Sequence, residues 1–452
     1  MHTSRRQPNA YITVAAATAL VVTLISLVYS SHLHPMTVYK VLANLLWKNA
    51  TVRPPILLIA IVAGWAWVVG VCRRRLGADL EHVLGGTLQH HLSTFHAALV
   101  LFCVLLSAHL MHFMASNVPG VTWRLWLVAN LGLNGIFFIL GLLPCSGLFF
   151  GPSRLSLLRA VWESIIAPFG PVTFWHVIVA DYMTSLANAF SDLQLVACIS
   201  PHIFRSGLGS DGIYVRSTEL WHDFYLTCAD SYANAIGLAL PFWIRLMQCL
   251  KVYSTTREGK NLWNALKYST AFPLVYAGYL RRHEPSHFHD QCFVAAAVVQ
   301  STYCFIWDVH MDWGLFWLAE LRGDSAEGYA CCGGKPVVAR IREPLLISQS
   351  VLAHLALCAF NLALRFIWAL SVFGGVPGRG AGMLFFELVE ILRRTVWAVF
   401  RIEWEVIAKV IYPSGTYKPV NMNTRRGAGE WQSLDRPLQQ REAPPPIGRV
   451  LE

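Results

Sequence analysis

The sequence predicts an all-α, polytopic membrane protein of about ten transmembrane helices, the last six enclosing a shared polar interior. Three observations predict it. Of the 452 residues, 55% are hydrophobic and only 14% charged, and the mean hydropathy of +0.45 excludes an ordinary soluble domain. Ten apolar runs are long enough to cross a bilayer. Within the two most apolar runs sit Arg365, Arg393 and Arg394, charges that lipid does not tolerate unless they face protein, water or an anion.

The runs lie near 11–31, 55–72, 93–115, 124–144, 171–199, 226–250, 264–281, 290–312, 345–373 and 382–412. The first follows Arg5-Arg6 as a secretory signal would, but its apolar core is too long for one, so it reads as an uncleaved anchor. If the ten alternate, Arg5-Arg6, Arg73-Arg74-Arg75, the Lys251 to Lys260 loop, the Arg322 to Arg342 loop and the tail share one side. Basic short loops favour the cytosol, so both termini are expected there. The sequon at Asn49-Ala50-Thr51 then falls on the opposite, lumenal side. Arg281-Arg282 also falls there, against the rule; either the seventh helix is misplaced or these arginines serve a lumenal mouth.

The formal charge of +10 does not indicate nucleic acid, because the basic residues are scattered through loops instead of forming one face. Eleven cysteines form no C-x-x-C pair and fall mostly in spans, where cysteine packs as a small apolar residue; Cys331-Cys332 sits in a cytosolic loop, where acylation is conceivable. His90, His91 and His96 lie on one side of the membrane, and His283, His287 and His289 on the other. Neither group assembles three metal ligands, so no metal, no cofactor and no enzymatic chemistry is expected.

Polar residues in the later spans recur at helical spacing and therefore share faces. Asp181, Thr184, Ser185, Asn188 and Asp192 do so in the fifth, and Asp230, Asn234, Pro241 and Arg245 in the sixth. Gln300, Cys304, Asp308 and Asp312 form a ridge in the eighth, and His354, Asn361, Arg365 and Trp368 one in the ninth. The tenth carries Glu387, Glu390, Arg394, Trp397, Arg401 and Glu405 on one face, with Arg393 beside it. Structural ion pairing explains any one of these residues. It explains the set less well, since each buried charge costs several kcal/mol unless compensated. Glu390 can serve both Arg393 and Arg394, which leaves a positive surplus for a small oxyanion to neutralise. The pattern is that of an anion transporter.

Five ordered stretches carry a family resemblance. They are Pro241-Phe242-Trp243-Ile244-Arg245-Leu246-Met247-Gln248-Cys249-Leu250, Asn264-Ala265-Leu266-Lys267-Tyr268-Ser269-Thr270, Ile306-Trp307-Asp308-Val309-His310-Met311-Asp312-Trp313-Gly314, Asn361-Leu362-Ala363-Leu364-Arg365-Phe366-Ile367-Trp368 and Glu390-Ile391-Leu392-Arg393-Arg394. From about 168 to 412 the chain resembles the EXS domain, the membrane domain of eukaryotic phosphate exporters of the retrovirus-receptor and plant phosphate-loader type. The resemblance implies six final helices around a phosphate pathway, membrane lipid and inorganic phosphate as partners, and a homodimer paired through the N-terminal helices.

Carried over position by position, the phosphate-lining residues are Asp181, Lys267, Tyr268, Asp312, Arg365, Trp368, Glu390, Arg393 and Arg394. Thr184 stands where family members often have asparagine, keeping a hydroxyl but losing the amide's reach. Arg365, Arg393 and Arg394 are expected to hold phosphate near midmembrane, with Lys267 and Tyr268 nearer the cytosolic mouth. Asp181, Asp312 and Glu390 would position those bases or clear the site between ions. Trp368 and Trp397 are candidate gates, although tryptophans in spans more often pack.

The first span begins too early for the SPX domain of the long members, a layout similar to the family's short Golgi form in yeast. Golgi is the expected membrane and the plasma membrane the alternative. The expected domains are an N-terminal membrane region 1–167, an EXS domain 168–412 and a disordered cytosolic tail 413–452. The competing reading is a non-transporting Golgi scaffold or sorting protein for glycosyltransferases or endoplasmic-reticulum residents.

Overall fold

A computed structural model describes residues 53–77, 79–84, 151–207, 226–320, 337–342, 344–373 and 381–411, with isolated positions near 16–21 and at 100. The expected spans near 11–31, 93–115 and 124–144, the sequon at Asn49, the histidines His90, His91 and His96, the Cys331-Cys332 pair and the tail lie outside the described residues. The homodimer expectation, which depends on the first helices, falls there too.

Helices dominate, in chain order α1 (Arg53–Leu76), α2 (Asp79–Leu84), α3 (Gly151–Ile166), α4 (Phe174–Ser185), α5 (Ala187–Gly207), α6 (Tyr232–Thr256), α7 (Gly259–Ser269), α8 (Ala271–His283), α9 (His287–Trp307), α10 (Val351–Arg365), α11 (Ala369–Val372) and α12 (Ala381–Val406). Among the described residues, the helical stretches Arg53–Leu76, Leu226–Thr256, His287–Asp312 and Val351–Val372 are long and apolar enough to cross a bilayer. A further pair, Leu158–Phe169 with Phe174–Ser185, qualifies together but bends by 104°. The bend follows from the sequence: Pro168, Gly170 and Pro171 cannot continue a helix there, and Thr173 starts the next one by accepting from the His176 backbone N–H.

The expected spans are less continuous than hydropathy implies. The fifth is two helices, α4 and α5, broken at Leu186, and the seventh is α7 and α8, broken at Thr270. The eighth ends in a π turn at Asp308–Asp312. In the ninth, helix resumes only at Ala369 after a break at Phe366–Trp368. A 12-residue helix such as α4 covers about 18 Å at 1.5 Å per residue, well short of a bilayer core.

One exception to the helical class is a two-stranded antiparallel ribbon, β1 (Phe316–Glu320) with β2 (Val337–Ile341), in the loop read above only for its charge. Gly314 precedes it with φ +51°, and a Cβ there would come within 2.5 Å of the Trp404 ring. Only glycine fits both conditions. Behind the ribbon, Arg342 donates to Glu403 at 2.6 Å, and Glu403 also accepts from the Leu346 and Ile347 N–H groups. That buried pair ties the ribbon to the C-terminal half of α12.

Helix α12 is the axis of the molecule. It packs along α1, α4 and α10, and Leu57, Val68, Ile178, Tyr182, Leu357, Trp397 and Ile402 belong to the central apolar cluster. Close approach of α1 depends on Gly64, where a Cβ would meet the Thr395 hydroxyl at 2.5 Å. A disulfide joins Cys198 of α5 to Cys228, just before α6. This corrects the reading of those two cysteines as packing residues. In the alternating topology both lie on the lumenal side, where oxidising conditions sustain disulfides. Arg281, on the same side, pairs with Asp290 at 2.6 Å across the α8–α9 turn.

Candidate functional site

The four discontinuities converge. Asp181, Thr184 and Ser185 occupy the last turn and a half of α4 before its break, and Lys267 and Tyr268 the last turn of α7. Asp308 and Asp312 bound the π turn, while Arg365 and Trp368 flank the break after α10. Opposite them α12 contributes Glu390, Arg393, Arg394 and Trp397. Irregular backbone at membrane depth survives only where protein or a hydrated path satisfies it. Broken helices around a polar centre are accordingly how membrane proteins build ion and substrate sites.

A single network joins all ten sequence-predicted residues. The Asp181 carboxylate accepts from Arg245 Nε at 2.8 Å and from the Tyr268 hydroxyl. Thr184 donates to the Asp181 carbonyl at 2.7 Å and accepts from Arg394 Nη2 at 3.3 Å. Ser185 accepts from Arg394 Nε at 3.0 Å and donates to Glu390 at 2.8 Å. Glu390 in turn holds Arg393 through two bonds of 2.7 and 2.6 Å.

Asp308 takes Arg365 at 2.7 Å, Arg393 at 3.4 Å and the Asn361 amide at 3.1 Å. Trp368 Nε1 donates to Ser301 at 3.0 Å, and that hydroxyl donates to the Arg365 carbonyl. On the cytosolic side of the proposed topology, Lys267 lies 4.0 Å from Asp312 and over the rings of Tyr268 and Trp307. Trp397 closes the circuit, donating its indole N–H to Asp312 while its ring carries the Arg394 guanidinium at 4.5 Å.

The charges do not cancel. At the centre Arg245, Lys267, Arg365, Arg393 and Arg394 face Asp181, Asp308, Asp312 and Glu390, one cation in excess; farther along α12, Arg401 lies 3.6 Å from Asp312 and 2.8 Å from Glu405, which also takes Lys409 at 2.7 Å. The excess has an address. Arg393 is held by two carboxylates and Arg365 by one, but the hydrogen bonds of Arg394 go to hydroxyls. A hydroxyl dipole satisfies geometry without neutralising charge, and desolvating an uncompensated guanidinium costs several kcal/mol. Among the described residues no carboxylate forms an ion pair with Arg394, although Asp181 and Glu390 act on it through space, and its fork of donors suits oxygen atoms.

Nor is the cluster sealed. The Glu390 side chain is 32% exposed and Arg365 15%, against 1% for Arg393. An open groove of about 580 Å³, lined by Lys260, Trp263, Tyr303 and Trp307 among others, adjoins the opposite end and shares Trp307 with Lys267.

A sequence profile of the EXS family matches residues 50–407. The chain belongs to the EXS family. Its curated relatives include mouse solute carrier family 53 member 1, 28% identical over 323 residues covering 65% of this chain and 43% of that one. The Xenopus laevis homolog of xenotropic and polytropic retrovirus receptor 1 is 30% identical over 304 residues, 64% and 40% of the two chains. SPX and EXS domain-containing protein 1 of Dictyostelium discoideum is 27% identical over 329 residues, 69% and 30%. The chain spans less than half the length of these relatives. The profile reaches back past the motif-bearing stretch to residue 50, taking in α1.

Within this EXS site, several residues outside the carried-over set bear as much of the network as those inside it. Asp308 joins two arginines, as many cations as the predicted Asp312 does, and Arg245, Ser185, Asn361, Ser301 and Trp397 complete the circuit. The signal for Asp308 was present in the string Trp307-Asp308-Val309-His310-Met311-Asp312, where two aspartates four apart on a helix share a face. Asp192 leaves the cluster. The break at Leu186 turns it toward α1, where it receives Arg53 Nε at 2.8 Å. Asn234 bonds Ser191 and the Ala229 carbonyl, away from the centre, and His354 sits against Glu403.

Proposed function

We propose that this EXS protein carries inorganic phosphate across a membrane through the cluster centred on Arg394, and acts as a transporter with no bond-making chemistry of its own. The observation that supports this most directly is a guanidinium that, among the described residues, hydrogen-bonds hydroxyls and no carboxylate, at the point where four broken helices meet. A tetrahedral oxyanion would take donors from Arg394 and from the accessible edge of Arg365, while Glu390 and Asp308 keep the remaining guanidinium charge from holding it too tightly. A site that binds firmly enough to select and weakly enough to release is what conduction needs. Lys267 and Tyr268, beside Asp312, supply the next station toward the cytosolic mouth. Trp368, pinned by Ser301 at the α10 break, is placed to narrow the path.

The disulfide between Cys198 and Cys228 supports an oxidising environment for the α5–α6 loop, and with it cytosolic termini. The lumen of the Golgi and the cell exterior both provide that environment. We favour the Golgi, and imaging of the tagged protein decides between them.

The test is flux of labelled phosphate in proteoliposomes. Arg394→Ala removes charge-assisted contacts worth about 1.5–3 kcal/mol each and should cut flux on the order of ten- to a hundredfold. Unchanged flux removes Arg394 from the pathway. An inert wild type, folded and correctly oriented, would favour the scaffold or sorting reading instead.

A further inference from the structure

One carboxyl group on the polar face of α12 takes no part in the network. Glu387 is 3% exposed, and neither of its oxygens has a hydrogen-bond partner among the described residues. It lies one turn from Glu390 on the same face of α12. Its charged neighbours are Asp192 on α5 and Arg53 on α1. Those two are committed to each other in a paired double contact. The Asn188 side chain is near, without forming a well-shaped hydrogen bond to either oxygen. An ionised carboxylate so placed would be a buried charge with no hydrogen-bond donor among the described residues, next to a second carboxylate already paired with Arg53. Proteins avoid that cost by leaving the group neutral.

The position gives the proton a consequence. In the alternating topology α12 runs from the lumenal to the cytosolic side, so Glu387 lies about two helical turns lumenal of Arg393 and Arg394. An anion leaving Arg394 in that direction passes the Glu387 level. An ionised carboxylate would repel it, whereas a neutral carboxyl offers an O–H donor that a phosphate oxygen can accept.

We propose that Glu387 is a proton-binding site, its carboxyl neutral while the Arg53–Asp192 pair is intact, and that loss of this proton closes the lumenal side of the pathway to anions. The functional half rests on the phosphate-transport reading; the proton site itself does not.

Two measurements test it. Infrared spectroscopy of the purified protein at neutral pH should show the carbonyl band of a protonated carboxylic acid, lost in Glu387→Gln. A wild type without such a band overturns the proposal whether or not the protein transports, as does a band that persists in the variant. Phosphate flux is then followed in proteoliposomes with equal pH on both faces, stepped from acidic to alkaline. Phosphate changes its own ionisation over that range, so the quantity read is the ratio of variant to wild-type flux at each pH. Glutamine cannot ionise and mimics the neutral form. The ratio should begin near unity in acid and rise by roughly tenfold in alkali, the change that ~1.36 kcal/mol added to the barrier produces. A ratio that stays flat with both proteins active overturns the gating role.

Discussion

Asp308→Asn separates the surplus-charge argument from a generic account of a polar core. Asp308 is buried and serves Arg365 at 2.7 Å, Arg393 at 3.4 Å and Asn361 at 3.1 Å. Asparagine preserves its shape but removes one negative charge, raising the excess of the cluster from one cation to two. Removing one partner of a buried ion pair costs about 3–5 kcal/mol. The asparagine oxygen still accepts from Arg365, so a loss near the lower end, about 3 kcal/mol, is expected. The second consequence distinguishes the two accounts. A binding anion restores the lost charge, so phosphate should stabilise the variant more than the wild type. At a free phosphate concentration a hundred times the dissociation constant, linkage returns about 2.7 kcal/mol, most of the deficit. The assay is thermal unfolding in detergent, with and without phosphate, using an equal ionic strength of chloride as the control. A variant as stable as wild type, or one that phosphate rescues no better than chloride does, would refute the reasoning.

Three further outcomes are expected. Gly314→Ala places a Cβ against the Trp404 ring at a residue of φ +51° and should cost roughly 1–3 kcal/mol, read as a lower midpoint in the same thermal assay; an unchanged midpoint would mean that the turn before β1 is not constrained. Glu403→Gln leaves the buried Arg342 without its carboxylate and should destabilise by about 3–5 kcal/mol, with faster proteolysis of the ribbon segment, whereas equal protease resistance would remove the ribbon's anchor. In sealed vesicles of known orientation, a membrane-impermeant reductant should cleave the Cys198–Cys228 disulfide only from the lumenal or extracellular side, read by maleimide mass-tagging after denaturation; cleavage from the cytosolic face would invert the topology.

Hydropathy read the length of the membrane segments well and their continuity poorly. Leucine, alanine and phenylalanine are as apolar in a broken helix as in a straight one, so the stretch 171–199 registers as one span. Nothing at Leu186 announces a break, because neither it nor its neighbours Ser185 and Ala187 is a glycine or proline. Where those punctuators occur, at Pro168, Gly170 and Pro171, the bend follows from local chemistry. The break also divides what periodicity joined. Asp181, Thr184 and Ser185 reach the centre, while Asp192, on the same face of an ideal helix, meets Arg53.

Periodicity fared best on α12, where Glu390, Arg394 and Trp397 face the cluster and Arg393 stands beside them as their spacing requires. Pairing across the chain was not legible. Arg245 and Asp181 are 64 residues apart, and Asp308 and Arg393 are 85 apart; no local rule relates them. The ribbon escaped notice because five-residue strands carry little period-two signal beside a run of charges.

The cystine between Cys198 and Cys228, with its Cα atoms 5.9 Å apart, has a mechanical corollary. It staples α5 to the start of α6, on the lumenal face in the proposed topology, so these two helices can tilt only as a unit there. Arg245, farther along α6 from that staple, thus swings on an arm whose outer end moves with α5. Under the transport reading proposed above, an opening on that face separates the stapled pair as one body from its described neighbours, and never α6 from α5.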